Sequence, residues 1–198
     1  MAGRTENRIA DQDWVAFKKG DKTSFERIYR MHAGHLLTYG YRVTSDRGLI
    51  EDSLHDLFVE LWQNRARLAD TTSIRFYLFK ALRYKIQRNL RKNDLLAFDY
   101  IEDGNNSTPT PSHESLIAMI ELQSEQLANL NQLLNSLPQR QQEAINLRYY
   151  NNFSNEEVAE IMGVNYQSAC KFIYTALKKL RENLRVAVSS FLVFINFF

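Results

Sequence analysis

Apolar residues recur at helical spacing in two blocks of the chain, separated by a stretch that has no such pattern. Phe25, Ile28 and Tyr29 stand at i, i+3 and i+4, with Leu36 and Leu37 following, and that period predicts an amphipathic helix. A second helix carries Ile50, Leu54, Leu57, Phe58, Leu61 and Trp62 on one face. A third opens at Ser73, a residue suited to capping, and carries Phe76, Leu78, Phe79, Leu82 and Ile86, with Ile74 and Leu78 read as core. In the later block Pro138 sits at a first helical position ahead of Ala144, Ile145 and Leu147. Ser154 followed by Glu157 is a capping-box signature for another helix. Between the blocks, Asp99 to His113 consists largely of small polar residues, two prolines and acids, too little apolar surface to order itself. The pattern predicts an all-α fold of two small helical domains, 14–96 and 116–185, joined by an acidic flexible linker, 97–115. An apolar tail, 186–198, follows.

The segment Ser154 to Leu180 reads as a helix-turn-helix. Its first helix turns Val158 and Ile161 inward, and Ala159 is small where a second helix crosses. Gly163 falls at the turn, where a left-handed backbone costs glycine little. Val164 fills the corner, and Asn165 is placed to cap the next helix. That helix buries Ala169, Ile173, Ala176, Leu177 and Leu180 and turns outward Tyr166, Gln167, Ser168, Lys171, Thr175 and Lys178. A second helix of this kind enters the major groove N-terminus first. Gln pairs two-pronged with adenine, Lys with guanine, and Ser with either. The bland alternative is a helical hairpin with a solvated face. A helix-turn-helix alone does not separate a repressor or activator from other DNA-binding proteins.

Composition adds limits. The 198 residues hold 7 Gly and 3 Pro, which argues against a turn-rich all-β fold, and the net charge of +2 is too small to indicate nucleic-acid binding by itself. Cys170 is the single cysteine, so there is no intrachain disulfide or thiolate cluster, which suits a reducing cytoplasm. Met1 to Asp13 has no signal-peptide core.

Charge is organised locally. Asp52, Asp56 and Glu60 follow one another at one-turn spacing on a predicted helix, able to meet a basic partner helix. Glu51 and His55 stand beside them, with Phe58 and Trp62 as apolar contacts or core residues. Downstream, Arg65, Arg67, Arg75, Lys80, Arg83, Lys85, Arg88, Arg91 and Lys92 are interleaved with Phe76, Tyr77 and Tyr84. Cations of such a run can track phosphates while aromatics stack on unpaired bases, or the run can simply solvate its helix. Glu51, Asp52, His55 and Asp56 superficially suggest metal ligands, but no second cluster matches them. No metal, cofactor or catalytic constellation is expected, and the chain is not read as an enzyme.

The stretch Arg47 to Leu68 resembles the polymerase-binding helix of extracytoplasmic-function sigma factors, the small promoter-selecting subunits of bacterial RNA polymerase. Asp46, Glu51, Asp52, Asp56, Phe58 and Trp62 fall on that family's D-x-x-x-A-E-D-x-x-Q-D-x-F-x-x-x-W pattern, with His55 in place of glutamine. Ser24 to Asp46 resembles the family's opening helix. Phe76 to Lys92 resembles the helix that handles melted promoter DNA, with Tyr84 where asparagine is usual. The segment from Leu137 to Val164 resembles the family's C-terminal domain. The overall pattern looks most like sigma factors of Bacteroidetes-type bacteria.

The resemblance implies a sigma subunit that binds core RNA polymerase, directs it to promoters and helps open the DNA. It implies polymerase contacts from Glu51, Asp52, His55, Asp56, Phe58, Glu60 and Trp62. The −10 element would meet Arg65, Arg67, Arg75, Tyr77, Lys80, Arg83, Tyr84 and Arg88, with a flipped base captured near Ala66 to Ser73. The −35 element would meet Asn165, Tyr166, Gln167, Ser168, Lys171, Thr175 and Lys178, with Lys178 and Lys179 on phosphate. An anti-sigma or recruiting partner and a cytoplasmic location are also implied, and the linker either tethers passively or mimics nucleic-acid charge. The competing reading is a stand-alone helix-turn-helix regulator. The tail from Val186 to Phe198 is too short to span a bilayer. It reads as an extension of the recognition helix that docks on another surface, with peripheral membrane contact as an alternative.

Overall fold

The computed structural model of the chain describes residues 12–71, 73–97 and 132–195, the side chains of 93–97 and 184–195 excepted. Among the described residues the regular structure is helical: α1 (12–18), α2 (Lys22–Val43), α3 (Arg47–Asn64), a 3₁₀ turn (Arg65–Arg67), α4 (Ile74–Ala97), α5 (132–135), α6 (Gln139–Ile145), a π-helical turn (Asn146–Tyr150), α7 (Asn155–Met162) and α8 (Tyr166–Ile195). The predicted linker falls largely within 98–131, and the N-terminal residues 1–11 likewise lie outside the described residues.

Helices α1 to α4 form the N-terminal unit. Asp21 caps α2 by accepting the Ser24 N–H at 2.9 Å, and Asp46 caps α3 by accepting the Leu49 N–H at 3.0 Å. Ser73 opens α4 as its sequence suggested, its Oγ accepting the Phe76 N–H at 3.2 Å. Ile28, Leu36, Ile50, Leu57, Leu61, Leu78, Leu82 and Ile86 form the interior. Each such side chain contributes about 1.5–3 kcal/mol on burial. The close crossing of α2 and α3 depends on Gly40, where an added Cβ would run into Ile50 Cγ2. Helix α1 was not evident from periodicity. It places Trp14 and Phe17 in the core, with the Trp14 ring N–H donating to the Ala69 carbonyl at 3.3 Å.

The C-terminal unit contains the helix-turn-helix. The Ser154–Glu157 capping box is formed, and Gly163 ends α7 at φ 61°, in the left-handed region. Asn165 caps α8, its Oδ1 accepting the Ser168 N–H at 2.7 Å. Val158, Ala159, Ile161, Ala169, Ile173 and Ala176 are buried as expected. Pro138 lies one residue earlier than expected, at the cap of α6, where its carbonyl receives the Gln141 and Gln142 N–H groups. The π turn was not foreseen. It forms where the Asn151 N–H donates five residues back to the Asn146 carbonyl at 3.0 Å and the Asn151 side chain repeats the bond at 3.1 Å.

The two units also share one interior. Helix α2 packs on α6, and α4 packs on α7. Phe153 of the C-terminal unit lies 5.2 Å from Phe79, edge to face. The backbone of α8 continues through Ile195, so the tail does extend the recognition helix that far. What its side chains touch lies outside the described residues.

Candidate nucleic-acid and partner interfaces

Helix α3 presents Glu51, Asp52, His55, Asp56 and Glu60 to solvent. Two of these acids have partners within the chain. Glu51 accepts from Arg47 Nε at 2.7 Å, and Glu60 pairs with Lys85 Nζ of α4 at 2.6 Å. Both carboxylates are about half exposed, so these pairs hold them weakly. Phe58 is a core residue at 5% exposure, in edge-to-face contact with Tyr29 at 4.8 Å. Of its two expected readings, apolar contact or core residue, it takes a core position and also forms the floor of a groove. That groove, about 530 Å³, lies between α2 and α3 and is lined by Phe25, Tyr29, Leu54, Phe58, Val59 and Trp62, with Glu51 and His55 among its other residues. Trp62 is half-buried against Phe25, under the Arg65 guanidinium at 4.5 Å from its ring.

The basic run around α4 divides into two faces. On one, Arg67, Tyr84 and Arg88 are exposed and Tyr77 is half-buried. Burial pushes the Tyr77 hydroxyl above its usual pKa, so it stays protonated. This side borders a cavity of about 150 Å³ lined by residues that include Asn64, Leu68, Tyr77, Tyr84, Lys85 and Arg88. The loop beside it is tied down by the Trp14–Ala69 bond and by Lys18–Asp70 at 2.6 Å. Half-buried Arg65 donates to the Trp62 carbonyl at 2.7 Å.

On the other face the cations turn toward the C-terminal unit. Arg75 Nη2 donates to Asn151 Oδ1 at 2.7 Å, and Lys80 Nζ pairs with Glu160 at 3.0 Å. Arg83, expected at the DNA, is only 3% exposed and donates through Nε to Glu143 Oε1 at 2.5 Å. A guanidinium so enclosed cannot meet a phosphate in this arrangement. Tyr39 donates its hydroxyl to the same Glu143 oxygen at 2.9 Å. Burial, then the Glu143 charge, pushes the Tyr39 hydroxyl well above its ordinary pKa, so it remains a donor.

The outward face of α8 is the least encumbered. Tyr166, Gln167, Lys171 and Lys178 are exposed, and Ser168 is half-buried. Asn165 is exposed but spends its side-chain oxygen on the cap. Thr175 is half-buried and donates to the Lys171 carbonyl at 2.7 Å, which weakens it as a base reader. Lys179 donates to the Ser136 carbonyl at 3.0 Å. Sequence reasoning passed over Tyr174, which is 68% exposed on the same helix. It also passed over Tyr39, Glu143 and Asn151. One signal for Glu143 was present: a carboxylate at the spacing of buried Ala144 and Leu147, on an apolar face.

Among the described residues, no group of three His, Cys, Asp or Glu side chains could hold a metal ion. Nor is any described helix long and apolar enough to cross a membrane.

Two family models match in succession: sigma-70 region 2 over residues 28–95, and sigma-70 region 4 over residues 127–180. The chain is 26% identical over 165 residues to RNA polymerase sigma factor YlaC of Bacillus subtilis (strain 168), covering 82% of this chain and 93% of that one. It is 24% identical over 190 residues to bacteriocin UviA of Clostridium perfringens, covering 86% and 96%. Neither relative bears on the Bacteroidetes-type placement. In fold it is similar to the sigma factor RpoE solved with the anti-sigma factor NepR from Bartonella quintana, with a TM-score of 0.62, 23% identity and coverage of 82% of this chain and 97% of that one. It is similar as well to CnrH solved with the cytosolic domain of CnrY, with a TM-score of 0.57, 16% identity and coverage of 90% and 98%. The two matched regions lie on the two helical units and together take in more than half of the residues: the chain belongs to the sigma-70 family, as a sigma factor of the extracytoplasmic-function type.

Proposed function

We propose that this sigma factor joins core RNA polymerase through α3, opens promoter DNA along the outer face of α4, and reads the upstream promoter element with α8. The observation that carries the reading is the placement of three chemically distinct surfaces on separate helices. Helix α3 offers exposed acids beside an apolar groove. The groove supplies the desolvated centre a protein contact needs, and the acids select a basic partner helix. Helix α4 offers a cavity with Tyr77, Tyr84, Lys85 and Arg88. A space of about 150 Å³ is large enough for a benzene-sized ring, so it suits a base turned out of the stack. Exposed Arg88 would hold a flanking phosphate there. Helix α8 offers Tyr166, Gln167, Ser168 and Lys171 at its N-terminal end, the part of a recognition helix that reaches base edges.

No covalent chemistry and no cofactor enter this reading; the protein acts by positioning. An anti-sigma or recruiting partner belongs to it; a solved structure of similar fold holds the sigma factor RpoE with the anti-sigma factor NepR. Action on polymerase places it in the cytoplasm. The test is co-purification with core polymerase. The wild-type chain should bind, and Asp52→Lys with Asp56→Lys should abolish binding while helicity is kept. Normal affinity in the doubly reversed protein would refute the α3 assignment.

A further inference from the structure

Helix α1 precedes the residues matched by sigma-70 region 2, and its side chains reach the loop between α3 and α4. The Trp14 ring N–H donates to the Ala69 carbonyl at 3.3 Å, and Lys18 Nζ pairs with Asp70 at 2.6 Å. The same indole meets the Tyr77 ring edge to face at 5.6 Å. Tyr77 and Leu68 both line the cavity of about 150 Å³ on α4, and Trp14 stands outside that lining. One buried side chain therefore touches the loop backbone beside Leu68 and the ring of Tyr77 together. A Cβ on Gly20 would stand 3.6 Å from Arg65 Nε, so the turn after α1 also reaches the start of the loop. Helix α1 is itself anchored on α2. Buried Asp13 accepts from Arg27 Nε at 3.0 Å and from Ser24 Oγ at 3.4 Å, and Phe17 stacks on Phe25 at 5.6 Å. The loop holds itself less firmly. Ala66, Arg67, Ala69 and Asp70 are exposed, and its internal bonds include Leu68 N–H to the Arg65 carbonyl at 3.4 Å and Thr71 Oγ1 to the Ser73 carbonyl at 3.1 Å.

We infer that α1 is a positioning element for base capture: Trp14 and Lys18 hold the loop at Ala69 and Asp70, in a set relation to Tyr77, so that the cavity is shaped before a base arrives. This rests on the reading of the α4 cavity as the seat of an unstacked promoter base. Trp14 and Lys18 do not line that cavity. They act through the Ala69 backbone, Leu68 beside it and the Tyr77 ring. Turning a base out of the stack costs free energy, which contacts in a receiving pocket offset. A loop that had to be ordered at the same moment would lose part of that gain to its own conformational entropy. Anchoring it beforehand to a buried indole, on a helix tied to α2, removes that loss. The two anchors differ in strength. Trp14 is 2% exposed, so its hydrogen bond is shielded from water. Asp70 is 87% exposed, so the Lys18 pair holds weakly and adds direction more than strength.

The test uses the full chain reconstituted with core RNA polymerase. Single-stranded oligodeoxynucleotides with a randomised window are selected on the wild-type assembly. One enriched strand is then bound with each base of that window replaced in turn by an abasic site. Wild type should show a position where loss of the base weakens binding roughly tenfold, as expected for a base held by stacking. Trp14→Phe keeps an aromatic ring in the core and removes the N–H. It should narrow the ratio of intact to abasic affinity to roughly threefold, since one hydrogen bond is worth a few-fold in an equilibrium, and leave affinity for the abasic strand unchanged. A merely structural role would weaken both strands equally, and an unchanged ratio overturns the inference. Lys18→Met should narrow the ratio by less, and Lys18→Arg should restore it. If Trp14→Phe loses its far-UV helicity, the Lys18 variants decide by the same ratio, and a wild-type ratio in Lys18→Met overturns the inference. A clear wild-type position with an unchanged ratio in Trp14→Phe leaves the capture reading standing and removes α1 from it. If no abasic position stands out in wild type, the capture reading falls and the inference falls with it.

Discussion

Helices α4 and α8 carry the same kinds of residue, cations among aromatics, and the sequence assigns both to DNA. Their surroundings differ. On α8 the expected readers Gln167, Lys171 and Lys178 are exposed. On α4, Arg88 is exposed, Arg75 is half-buried and Arg83 is enclosed by an acid more than fifty residues away in sequence. A cation's spacing places it on a helix face. What that face is packed against decides whether the charge is offered to a partner or already spent.

The sharpest way to break this comparison is to remove the acid outright. Glu143→Ala leaves Arg83 enclosed without its counter-charge, which costs about 3–5 kcal/mol in favourable cases. The cost here is capped by the free energy at which the units separate. Hydrogen exchange across α6 should show that loss. Arg83→Met with Glu143→Leu should restore protection to within about 1 kcal/mol of wild type, because no charge then remains buried. Failure of the double variant to recover would mean that the loss in Glu143→Ala does not come from a stranded charge.

His32 tests the same seam by pH. It lies on α2, half-buried, and burial, then Arg75 and then His35, hold its pKa down to about 4, from 6.5. A histidine so depressed is neutral in the fold and takes up a proton more readily when unfolded. Its contribution is therefore complete above pH 6.5 and is lost as pH falls from 6.5 toward 4, by about 3 kcal/mol in all. Urea midpoints for wild type and His32→Gln should converge at neutral pH and separate through that window, the wild type losing more. Parallel curves would show that His32 titrates as it does in the unfolded chain.

On α8 the expected effects fall on DNA and not on the fold. Gln167→Ala and Lys171→Ala should each lose about 1–3 kcal/mol of discrimination between matched and mismatched sites, with thermal stability within about 0.5 kcal/mol of wild type. Lys178→Ala should weaken all sequences alike and reduce the salt slope by about 1. If Gln167→Ala destabilised the protein as Glu143→Ala does, the contrast between the two helices would fail. The smallest effect is expected from Ser154→Ala. It removes one side of the capping box, costs about 1 kcal/mol, and should be felt in the orientation of α7 before any loss of folding.

Local chemistry was legible along the chain. The capping box at Ser154 and Glu157, the left-handed turn at Gly163 and the inward faces of α7 and α8 each depend on residues within a few positions of one another. Their hydrogen bonds and backbone angles are local, so spacing predicts them. The fold of two helical units and the exposure of the α8 readers follow from the same periodicity. Phe58 was ambiguous for a physical reason, since an aromatic on an amphipathic helix fits a core and an interface equally well. It lies at the floor of a groove, between the two.

What the sequence determined by itself was α2, α3, α4, α6, α7 and α8, the caps at Ser73, Ser154 and Asn165, and the side these helices turn inward, because those follow from a period of 3.6 residues and from short-range hydrogen bonds. What only the tertiary structure decided was which side of α4 meets the other unit. Arg83 and Glu143 are 60 positions apart, and no local energy relates them. Each is unfavourable alone on an apolar face. They become compatible only when α2, α4, α6 and the turn at Gly163 close around both, since burying one charge is tolerable only when the opposite charge is buried with it.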